Sequence, residues 1–394
     1  MAETLRGFEE LLAATDPDII LTFGTATLSD YIAGRLAKAR GIDYLQLKAT
    51  KVRNYVSLND DMIALSSHIA KHYAARDTSR QAKAIARSYI DTVKAEGVKY
   101  EGAIRLDQRL LDFKPHRQLV KLAKAAALEL RRQGNSVVRD DNHLDGFIIP
   151  ALIEGIVQPW RARKLSKRLG KSFLQLADIE KLGDFGFFPL HFEPEVSMQV
   201  FGRPFQNQIE LIRTLALALP SNVVLLVKEH PRSIGFRPVG YYEKILEIPN
   251  VRLADPFLPS IALVKRAKLV AIISGTIGLE AAILGKPVLA FGRPTYCALP
   301  GAIVSKVKDL WRLPQQITTL LTLAETSGDD AIECFIAAIV DGSVPIDLYA
   351  NLLGKENRHR EVNDLAGDET DQRSRDLERL ADYTRLRIGA TRPH

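Results

Sequence analysis

Short apolar runs alternate with amphipathic stretches along the second half of the chain. The apolar runs are too short for helices and end at polar or glycine residues, which is typical of buried strands. The intervening stretches have helical spacing of their apolar positions. Strands are predicted at 185–189, 223–227, 251–253, 269–273 and 288–291, and helices at 206–218, 240–246, 260–266 and 278–284. This alternation predicts an α/β domain built on a parallel sheet with helical crossovers.

The first half shows the same alternation once and then becomes largely helical. A helix at 3–14 is broken by Asp16-Pro17-Asp18, and strand 19–23, helix 29–40 and strand 42–47 follow. This βαβ arrangement indicates a second parallel sheet. Further helices are predicted at 60–75, 80–96 and 116–133, which leaves only two strands before residue 140. The last 45 residues have charged side chains at helical spacings and predict a solvated helical appendage.

A chain of 394 residues is long enough for two domains with separate cores. The element pattern places an N-terminal α/β domain at 1–165, a C-terminal Rossmann-like domain at 166–345 and a charged helical tail at 346–394. The small number of strands before residue 140 leaves two interpretations of the first domain. Either it is reduced, or the chain begins inside it.

The composition, 46% hydrophobic and 26% charged, is that of an ordinary soluble globular protein. No stretch approaches 18 uninterrupted apolar residues, as a membrane-spanning helix requires, and the first residues lack the layout of a signal peptide. Cys297 and Cys334 are too few and too isolated for a disulfide framework or a zinc site. The sequence therefore predicts a reduced, cytoplasmic setting.

The net charge of +7 permits several kinds of anionic partner. Its densest part is a run of cations: Arg161, Arg163, Lys164, Lys167, Arg168 and Lys171. This run predicts either a solvated helix face or linker, or a patch that faces lipid or polymer. Aromatic residues are not interleaved with the cations, as a groove for nucleic acid would need, so a nucleic-acid partner is not expected.

Polar groups follow two of the predicted strands at their carboxyl ends. Lys228-Glu229-His230-Pro231 follows one strand, and Ser274-Gly275-Thr276 follows another and precedes a helix. Ligands of open parallel sheets bind at that edge. An imidazole N–H can donate to a phosphoryl oxygen, and hydroxyls with backbone N–H groups at a helix start can hold an anion. The motifs predict a nucleotide or nucleotide-sugar site, with a simple capping role as the alternative for each of them.

Other ionisable residues at the same edges are candidates for catalysis. His191, Glu193 and Glu195 lie in one loop, and Glu195 is the predicted carboxylate near the reacting carbon, with ordinary loop polarity as the alternative. Lys51, Arg53 and Asn54 follow the second N-terminal strand. The planar guanidinium of Arg53, with its paired N–H donors, suits an anionic acceptor or a sugar carboxylate. Asp60 and Asp61 are weaker candidates for a base. No DXD-like motif follows a strand, so no metal is predicted.

These motifs resemble the bacterial capsule polysaccharide biosynthesis family, GT-B glycosyltransferases related to Kdo and sialic acid transferases. The likeness covers about residues 186–300 and rests on four segments: 188–195, 228–231, 274–281 and 285–292. It implies a GT-B-like fold of two Rossmann-like domains facing a cleft, the first (1–165) reduced and on the acceptor side and the second (166–345) binding the nucleotide-sugar, with a C-terminal helix that braces the first. It also implies that His230 contacts the nucleotide phosphate and that Glu280 holds a ribose hydroxyl. The donor-binding set it implies is His191, Lys228, Pro231, Ser274, Gly275, Thr276, Gly278 and Glu280, beside the catalytic candidates His230, Glu195 and Arg53.

The resemblance implies a glycosyltransferase of capsule or surface polysaccharide biosynthesis that uses a CMP-activated, Kdo-like sugar without a metal or cofactor. A UDP-sugar is the nearest alternative donor. Two other functions stay open: transfer of a polyol phosphate such as glycerophosphate from a CDP-linked donor, and a non-catalytic assembly or export protein that keeps the nucleotide fold. Expected partners are a nucleotide-sugar, a glycan or glycolipid acceptor and the inner membrane or an export complex.

Overall fold

The computed structural model of the chain describes residues 2–24, 28–98, 120, 122–124, 126–127, 130, 152–193, 198, 202–322, 328–353 and 369–391. The chain forms two compact units, neither of which is continuous in sequence. Unit 1 comprises Met1–Arg105, Pro194–Gln206 and Ser260–His394. Unit 2 comprises Leu106–Glu193 and Asn207–Pro259.

Unit 1 contains two sets of strands and most of the helices. Its described elements are, in chain order, α1 (Ala2–Thr15), β1 (Ile19–Thr22), α2 (Leu28–Arg40), β2 (Asp43–Ala49), β3 (Tyr55–Asn59), α3 (Ser67–Ala75), α4 (Arg80–Glu96), α9 (Ser260–Arg266), β8 (Leu269–Ile272), α10 (Ile277–Ile283), β9 (Val288–Ala290), β10 (Val304–Lys306), α11 (Leu313–Thr322), α12 (Asp329–Asp341), β11 (Val344–Pro345) and α13 (Glu369–Thr391). β1 and β2 are parallel, whereas β3 is antiparallel to both β2 and β11. β8, β9 and β10 pair in parallel.

Unit 2 is a smaller α/β unit with parallel strands. Its described elements are α5 (Gln158–Leu169), β4 (Phe173–Leu174), α6 (Leu176–Ile179), β5 (Phe185–Pro189), α7 (Gln208–Ala218), β6 (Val224–Lys228), α8 (Val239–Leu246) and β7 (Val251–Ala254). A wider helical turn at Ile153–Val157 leads into α5. The strands pair in parallel in the order β5-β6-β7-β4. Every residue of β5 is buried, as expected for a strand covered on both faces.

The C-terminal helix α13 packs on the four-stranded sheet of unit 1. Leu380 and Tyr383 contact a buried cluster formed by Val56, Val344, Ile346 and Leu348. The Tyr383 hydroxyl accepts a hydrogen bond from the backbone N–H of Leu58 at 3.2 Å and donates to the carbonyl of Gly342 at 2.7 Å. The predicted helical appendage is therefore present, and this helix stabilises the N-terminal sheet.

The α/β class and the five strands predicted between 185 and 291 are confirmed, with ends shifted by at most one residue. The predicted count of two strands before residue 140 is wrong, because β3 is a third. Helix 60–75 begins only at Ser67, since the Asp60 carboxylate accepts from the backbone N–H of Ser67 and holds 60–66 as a loop. The predicted helix 116–133 lies largely outside the described residues. Within the described part of the chain, no helix has the length and apolar character to cross a membrane.

Candidate functional site

The turn between β8 and α10 is held in one conformation by its own residues and by Tyr296. Gly275 has φ +112°, a value that side-chain-bearing residues rarely adopt. The buried Tyr296 hydroxyl donates to the Gly275 carbonyl at 2.6 Å. The Thr276 side chain makes no capping hydrogen bond to α10. The capping explanation for the Thr276 hydroxyl therefore does not hold, although the residue occupies the capping position.

A cavity of about 370 Å³ lies beside this turn, entirely within unit 1. Its polar lining includes Ser274 and Thr276, with Lys48 near the end of β2, Lys51 after β2 and Arg293 after β9. Its apolar lining comes from side chains such as Leu279, Phe335, Ile339 and Leu348. The size and the mixture of an apolar wall with a few convergent polar groups are those of small-molecule sites. Three cations and two hydroxyls suit an anionic ligand.

Buried polar side chains of β2 and β3 complete the lining of this cavity. Gln46, Ser57 and Asn59 are each at most 3% exposed. The Ser57 hydroxyl donates to Asn59 Oδ1 at 2.7 Å, and Gln46 Nε2 donates to the Asp61 carbonyl at 2.5 Å. Burial lowers the pKa of Lys48 to about 8, with Lys51 adding to the effect and Asp61 opposing it. The charge of Lys48 therefore responds to pH near neutrality.

The loop that joins β2 to β3 places Lys51 at the cavity and Arg53 away from its lining. The Thr50 hydroxyl donates to the Tyr55 carbonyl at 2.8 Å, and the Tyr89 hydroxyl donates to the Lys51 carbonyl at 3.1 Å. Arg53 donates instead to the Ser88 hydroxyl on α4 at 2.9 Å. Arg53 was the predicted anion clamp, but the cations that line this cavity are Lys48, Lys51 and Arg293.

Glu280 is buried on α10 but does not line the cavity. Its carboxylate accepts a hydrogen bond from the backbone N–H of Val98 at 2.8 Å, just beyond the end of α4. Burial raises the pKa of the Glu280 carboxyl to about 6, although this hydrogen bond acts in the opposite direction. The observed role of Glu280 is to join α10 to the segment after α4. Its predicted contact with a ribose hydroxyl stays a prediction.

Gly278 is required by the packing of Tyr296. A Cβ atom added at Gly278 would lie 2.3 Å from the Tyr296 hydroxyl and 2.7 Å from Cζ. We expect Gly278→Ala to lower the free energy of unfolding by about 1–3 kcal/mol, as overpacking does. Urea unfolding followed by circular dichroism measures this.

Gly240→Ala is the matched control, because its added Cβ would have only ordinary contact, with Glu243 at 3.8 Å. At this helical position alanine is expected to raise stability slightly. Equal stability changes in the two variants would contradict the packing role of Gly278.

In unit 2, a buried ion pair organises the segment after β6. The Arg237 guanidinium pairs with Glu229 at 2.5 Å, and the two side chains are 8% and 0% exposed. Glu229 also accepts from the Tyr242 hydroxyl at 2.9 Å and from the backbone N–H of His230 at 2.7 Å. Arg237 donates in addition to the His191 carbonyl at 2.6 Å. These bonds fix the loops after β5 and β6 relative to each other within unit 2.

The His230 ring is held in a defined tautomer. Its Nδ1 atom accepts a hydrogen bond from the backbone N–H of Arg232 at 3.2 Å, so the proton of the neutral ring is on Nε2. Burial lowers the pKa of His230 to about 4, and the charges of Lys228 and Arg232 add to the effect. At neutral pH the ring is therefore a neutral Nε2–H donor. Phe192 lies beside it, with ring centroids 6.4 Å apart.

Other predicted residues of unit 2 have mainly positioning roles. His191 is buried and its backbone N–H donates to Gln208 Oε1 at 2.8 Å. Lys228 is 5% exposed, and burial lowers its pKa to about 8, although the negative charges of Glu229 and Asp255 act to raise it. Pro231 begins a single helical turn that His230 caps. Glu195, the predicted catalytic carboxylate, lies outside the described residues.

A second cavity of about 790 Å³ in unit 1 adjoins the first, since Arg293 and Ile63 line both. Five cationic side chains line it: Arg35, Lys38, Lys71, Arg293 and Arg387. Three carboxylates, Asp43, Asp60 and Asp61, line it as well. Asp60 accepts from Ser66 and from Ser67, and Asp61 accepts from the N–H groups of Ile63 and Ala64 at 2.7 Å. Five cations against three carboxylates give the lining a net positive charge.

Sequence reasoning did not identify Glu229 and Arg237 as the pair that organises the loop after β6. It also missed several of the residues that line the two cavities. Glu229 lies within the predicted motif, but its partner Arg237 is eight residues away with no pattern that connects them. Among the described residues, no group of three or more His, Cys, Asp or Glu side chains could hold a metal ion.

The solved structures that match this chain include two Kdo transferases and a UDP-GlcNAc 2-epimerase. The beta Kdo 2,7 transferase of Thermosulfurimonas dismutans KpsC is 14% identical with a TM-score of 0.43, covering 84% of this chain and 79% of that one. Its beta Kdo 2,4 transferase is 15% identical with a TM-score of 0.38, covering 82% and 79%. A UDP-GlcNAc 2-epimerase of Methanocaldococcus jannaschii is 13% identical with a TM-score of 0.31, covering 86% and 80%.

None of the curated proteins compared with the chain matches its sequence. One family model does match, and it covers residues 161–316. That range contains the strand-end motifs at His230 and Ser274 on which the predicted resemblance rests. The family is described as capsule polysaccharide biosynthesis protein. The predicted resemblance is thus confirmed over residues 161–316, which match the model of the capsule polysaccharide biosynthesis proteins.

Proposed function

We propose that the chain is a glycosyltransferase of bacterial capsule or surface polysaccharide biosynthesis. The donor would be a CMP-activated, Kdo-like sugar, and the acceptor a glycan or glycolipid. The observation that carries the proposal is the cavity beside Ser274 and Thr276, where three cations converge beside an apolar wall. The family match over residues 161–316 supports the biosynthetic context.

The chemistry of the first cavity suits the nucleotide part of such a donor. Phosphate oxygens take hydrogen bonds from hydroxyl and ammonium groups, here Ser274, Thr276, Lys48 and Lys51. The buried amides Gln46 and Asn59 offer further polar groups to a base or ribose. Aliphatic and aromatic side chains of α12 and of the segment after β11 give the ligand an apolar surface. We propose that donor binding is dominated by these residues of unit 1.

His230 would serve the chemical step. When a sugar leaves a nucleotide, negative charge grows on the phosphate oxygens, and a donor placed in advance stabilises that charge. The ring is suited to this because its Nδ1 is occupied by the Arg232 N–H and its Nε2 carries the proton. The step as proposed uses no metal ion, and unchanged turnover in EDTA would support that part.

The titration of Lys48 predicts how donor binding depends on pH. Lys48 is charged below its pKa of about 8 and neutral above it. Affinity for CMP should therefore fall as pH rises through 8, by up to about tenfold between pH 7 and pH 9. Isothermal calorimetry across this range measures the change.

Lys48→Arg separates this effect from that of Lys228, whose pKa is also about 8. An arginine stays charged throughout, so the variant should lose most of the pH dependence. If it kept the full dependence, Lys48 would not be the group that titrates against the ligand.

The second cavity would hold the acceptor. Its cations favour a glycan that carries carboxylate or phosphate groups, and Arg293 lies where this cavity meets the proposed donor cavity. Contact with both reactants would let one guanidinium orient the acceptor toward the donor. Proximity of that kind lowers the barrier for transfer. We propose that Arg35, Lys38 and Arg387 bind the part of the acceptor distant from the reacting hydroxyl.

The direct test incubates the full chain with CMP-Kdo and, separately, with a UDP-sugar and CDP-glycerol, each with a Kdo-containing oligosaccharide as acceptor. Mass spectrometry of the acceptor identifies the group transferred. Addition of Kdo with release of CMP is the expected result. Addition of glycerophosphate would replace the proposal by polyol-phosphate transfer. Nucleotide binding with no transfer from any donor would favour a non-catalytic assembly protein.

We also propose that the chain associates peripherally with the inner membrane or with an export complex, from a cytoplasmic location. No helix suited to crossing a membrane occurs among the described residues.

A further inference from the structure

The segment of residues 152–171 in unit 2 exposes an apolar surface that the proposed chemistry does not use. Leu152, Ile153, Ile156 and Trp160 are 38%, 40%, 45% and 60% exposed. Isolated exposed apolar residues are ordinary, but four within nine residues form a patch. The opposite side of the same segment is buried and includes Ala162, Leu165 and Leu169. We call residues 152–171 the basic helix segment.

The apolar patch continues into a row of cations along one side of the segment. Leu152, Ile156 and Trp160 are four residues apart, about one helical turn, and therefore lie on one face. Arg163, Lys164 and Lys167 extend that face, and all three are exposed. The segment is apolar in its first half and cationic in its second. Lys164 Nζ lies 5.4 Å from the centre of the Trp160 ring, where the two halves meet.

The charge of this surface is predominantly positive. Residues 152–171 include six Lys or Arg and one acidic residue, the exposed Glu154. Two of the six are used within unit 2, since Arg161 donates to the Phe236 carbonyl at 2.8 Å and Arg168 pairs with Glu243 at 2.6 Å. Lys164, Lys167 and Lys171 form no ion pair with any of the described residues. Their ammonium groups face solvent.

We propose that the basic helix segment is an interfacial anchor that binds the surface of an anionic bilayer. Apolar side chains with a tryptophan enter the boundary between head groups and acyl chains, and adjacent lysines contact anionic head groups. An acidic protein partner could also pair with the lysines. It would not account for the exposed apolar residues in the first half of the segment. The inference deepens the proposed peripheral association and names its surface. It rests on the proposed function only for the identity of the membrane, which is the inner membrane.

Vesicle binding of the full chain tests this directly. The Trp311→Phe protein is suited to the experiment, because the chain has two tryptophans and Trp160 then becomes the only one. Trp311 is 94% exposed and lies outside the segment, so its replacement should leave the fold intact. With phosphatidylcholine vesicles containing phosphatidylglycerol we expect co-sedimentation, a blue shift of Trp160 emission and weakening at high salt. With pure phosphatidylcholine we expect little binding.

Charge reversal within the segment provides the specificity test. Lys164→Glu with Lys167→Glu should weaken binding to anionic vesicles by about tenfold or more, since each basic residue near such a surface contributes attraction. Lys181→Glu with Lys265→Glu changes the net charge equally at exposed positions outside the segment, and it should bind as the parent does.

Three results would overturn the anchor: no binding to anionic vesicles, equal loss in the two double variants, or binding without a shift of Trp160 emission. Transfer to a water-soluble acceptor should be unchanged in the Lys164→Glu, Lys167→Glu protein. Loss of the anchor and loss of the proposed enzymatic function are therefore distinguished by separate measurements.

Discussion

His230→Ala is expected to lower turnover by about 10² or more while the protein stays folded. Loss of one preorganised hydrogen-bond donor, at a site where negative charge develops in the transition state, lowers turnover by a factor of this size. The ring donates through Nε2 in its neutral form, because burial holds its pKa at about 4. Steady-state release of CMP measures the loss. A variant with parental turnover would remove His230 from the chemistry.

Three further variants separate the donor role of His230 from its structural role. His230→Asn retains an acceptor for the Arg232 N–H but has no group at the Nε2 position, so we expect normal stability and low turnover. His230→Gln can place an amide N–H near Nε2 and should recover part of the turnover. His72 is a matched control, since its ring contacts only the Asp77 carbonyl at 3.2 Å in the described contacts. His72→Ala should leave turnover unchanged.

Glu229→Gln is expected to lower the free energy of unfolding by about 3–5 kcal/mol. It removes the buried counter-charge that lies 2.5 Å from the Arg237 guanidinium and leaves only the partly exposed Glu193 carboxylate at 3.4 Å, and breaking a buried pair has a cost of this order. The loops that carry His191 and His230 depend on the same pair, so turnover should fall as well. Urea unfolding of the parent and variant proteins gives the energy.

The double variant Glu229→Leu, Arg237→Met tests whether charge is the cause. Removal of both charges is expected to cost less than the sum of the two single changes. Additive costs would show that Glu229 and Arg237 act independently. Arg213→Met is a matched control, because its pair with Glu210 is exposed and 3.7 Å long and should contribute little.

The strands that the sequence predicted well are those buried on both faces. Residues 224–227 and 269–272 are continuous apolar runs, because a parallel strand covered on both sides has no polar face. Each is followed by the polar motif that was predicted at its carboxyl end. The position of His230 and Ser274 at strand ends was therefore accessible from local pattern alone.

β3 was missed for a physical reason. Its sequence, Tyr-Val-Ser-Leu-Asn, carries Ser57 and Asn59, residues that local pattern assigns to loops. Both are buried because they hydrogen-bond to each other beside the cavity. β4 and β11 contain two residues each, which is too short for any periodicity. Polar residues satisfied by tertiary contacts cannot be recognised without the fold.

Sequence reasoning singled out Ser274, Thr276 and Lys51, which line the first cavity, but not Lys48 or Arg293, which line it as well. Sequence reasoning chose Arg53, yet the structure directs that side chain to Ser88, and the cations at the cavity are Lys48, Lys51 and Arg293. Loop geometry decides this, since Lys51 and Arg53 both have positive φ and no sequence rule places them there. The donor and the acceptor remain proposals.

The binding of CMP to the full chain tests the central claim most directly. Titration of CMP, CDP, UDP and GDP against the parent protein by calorimetry, with thermal shift as a second readout, compares the nucleotides on one site. CMP at a hundredfold excess over Kd should stabilise the fold by about 2.7 kcal/mol. Ser274→Ala with Thr276→Val should weaken CMP binding by tenfold or more, whereas Thr319→Val, an exposed hydroxyl on α11, should not. Failure of all four nucleotides to bind, or equal CMP affinity in the parent and the Ser274, Thr276 variant, would contradict the account.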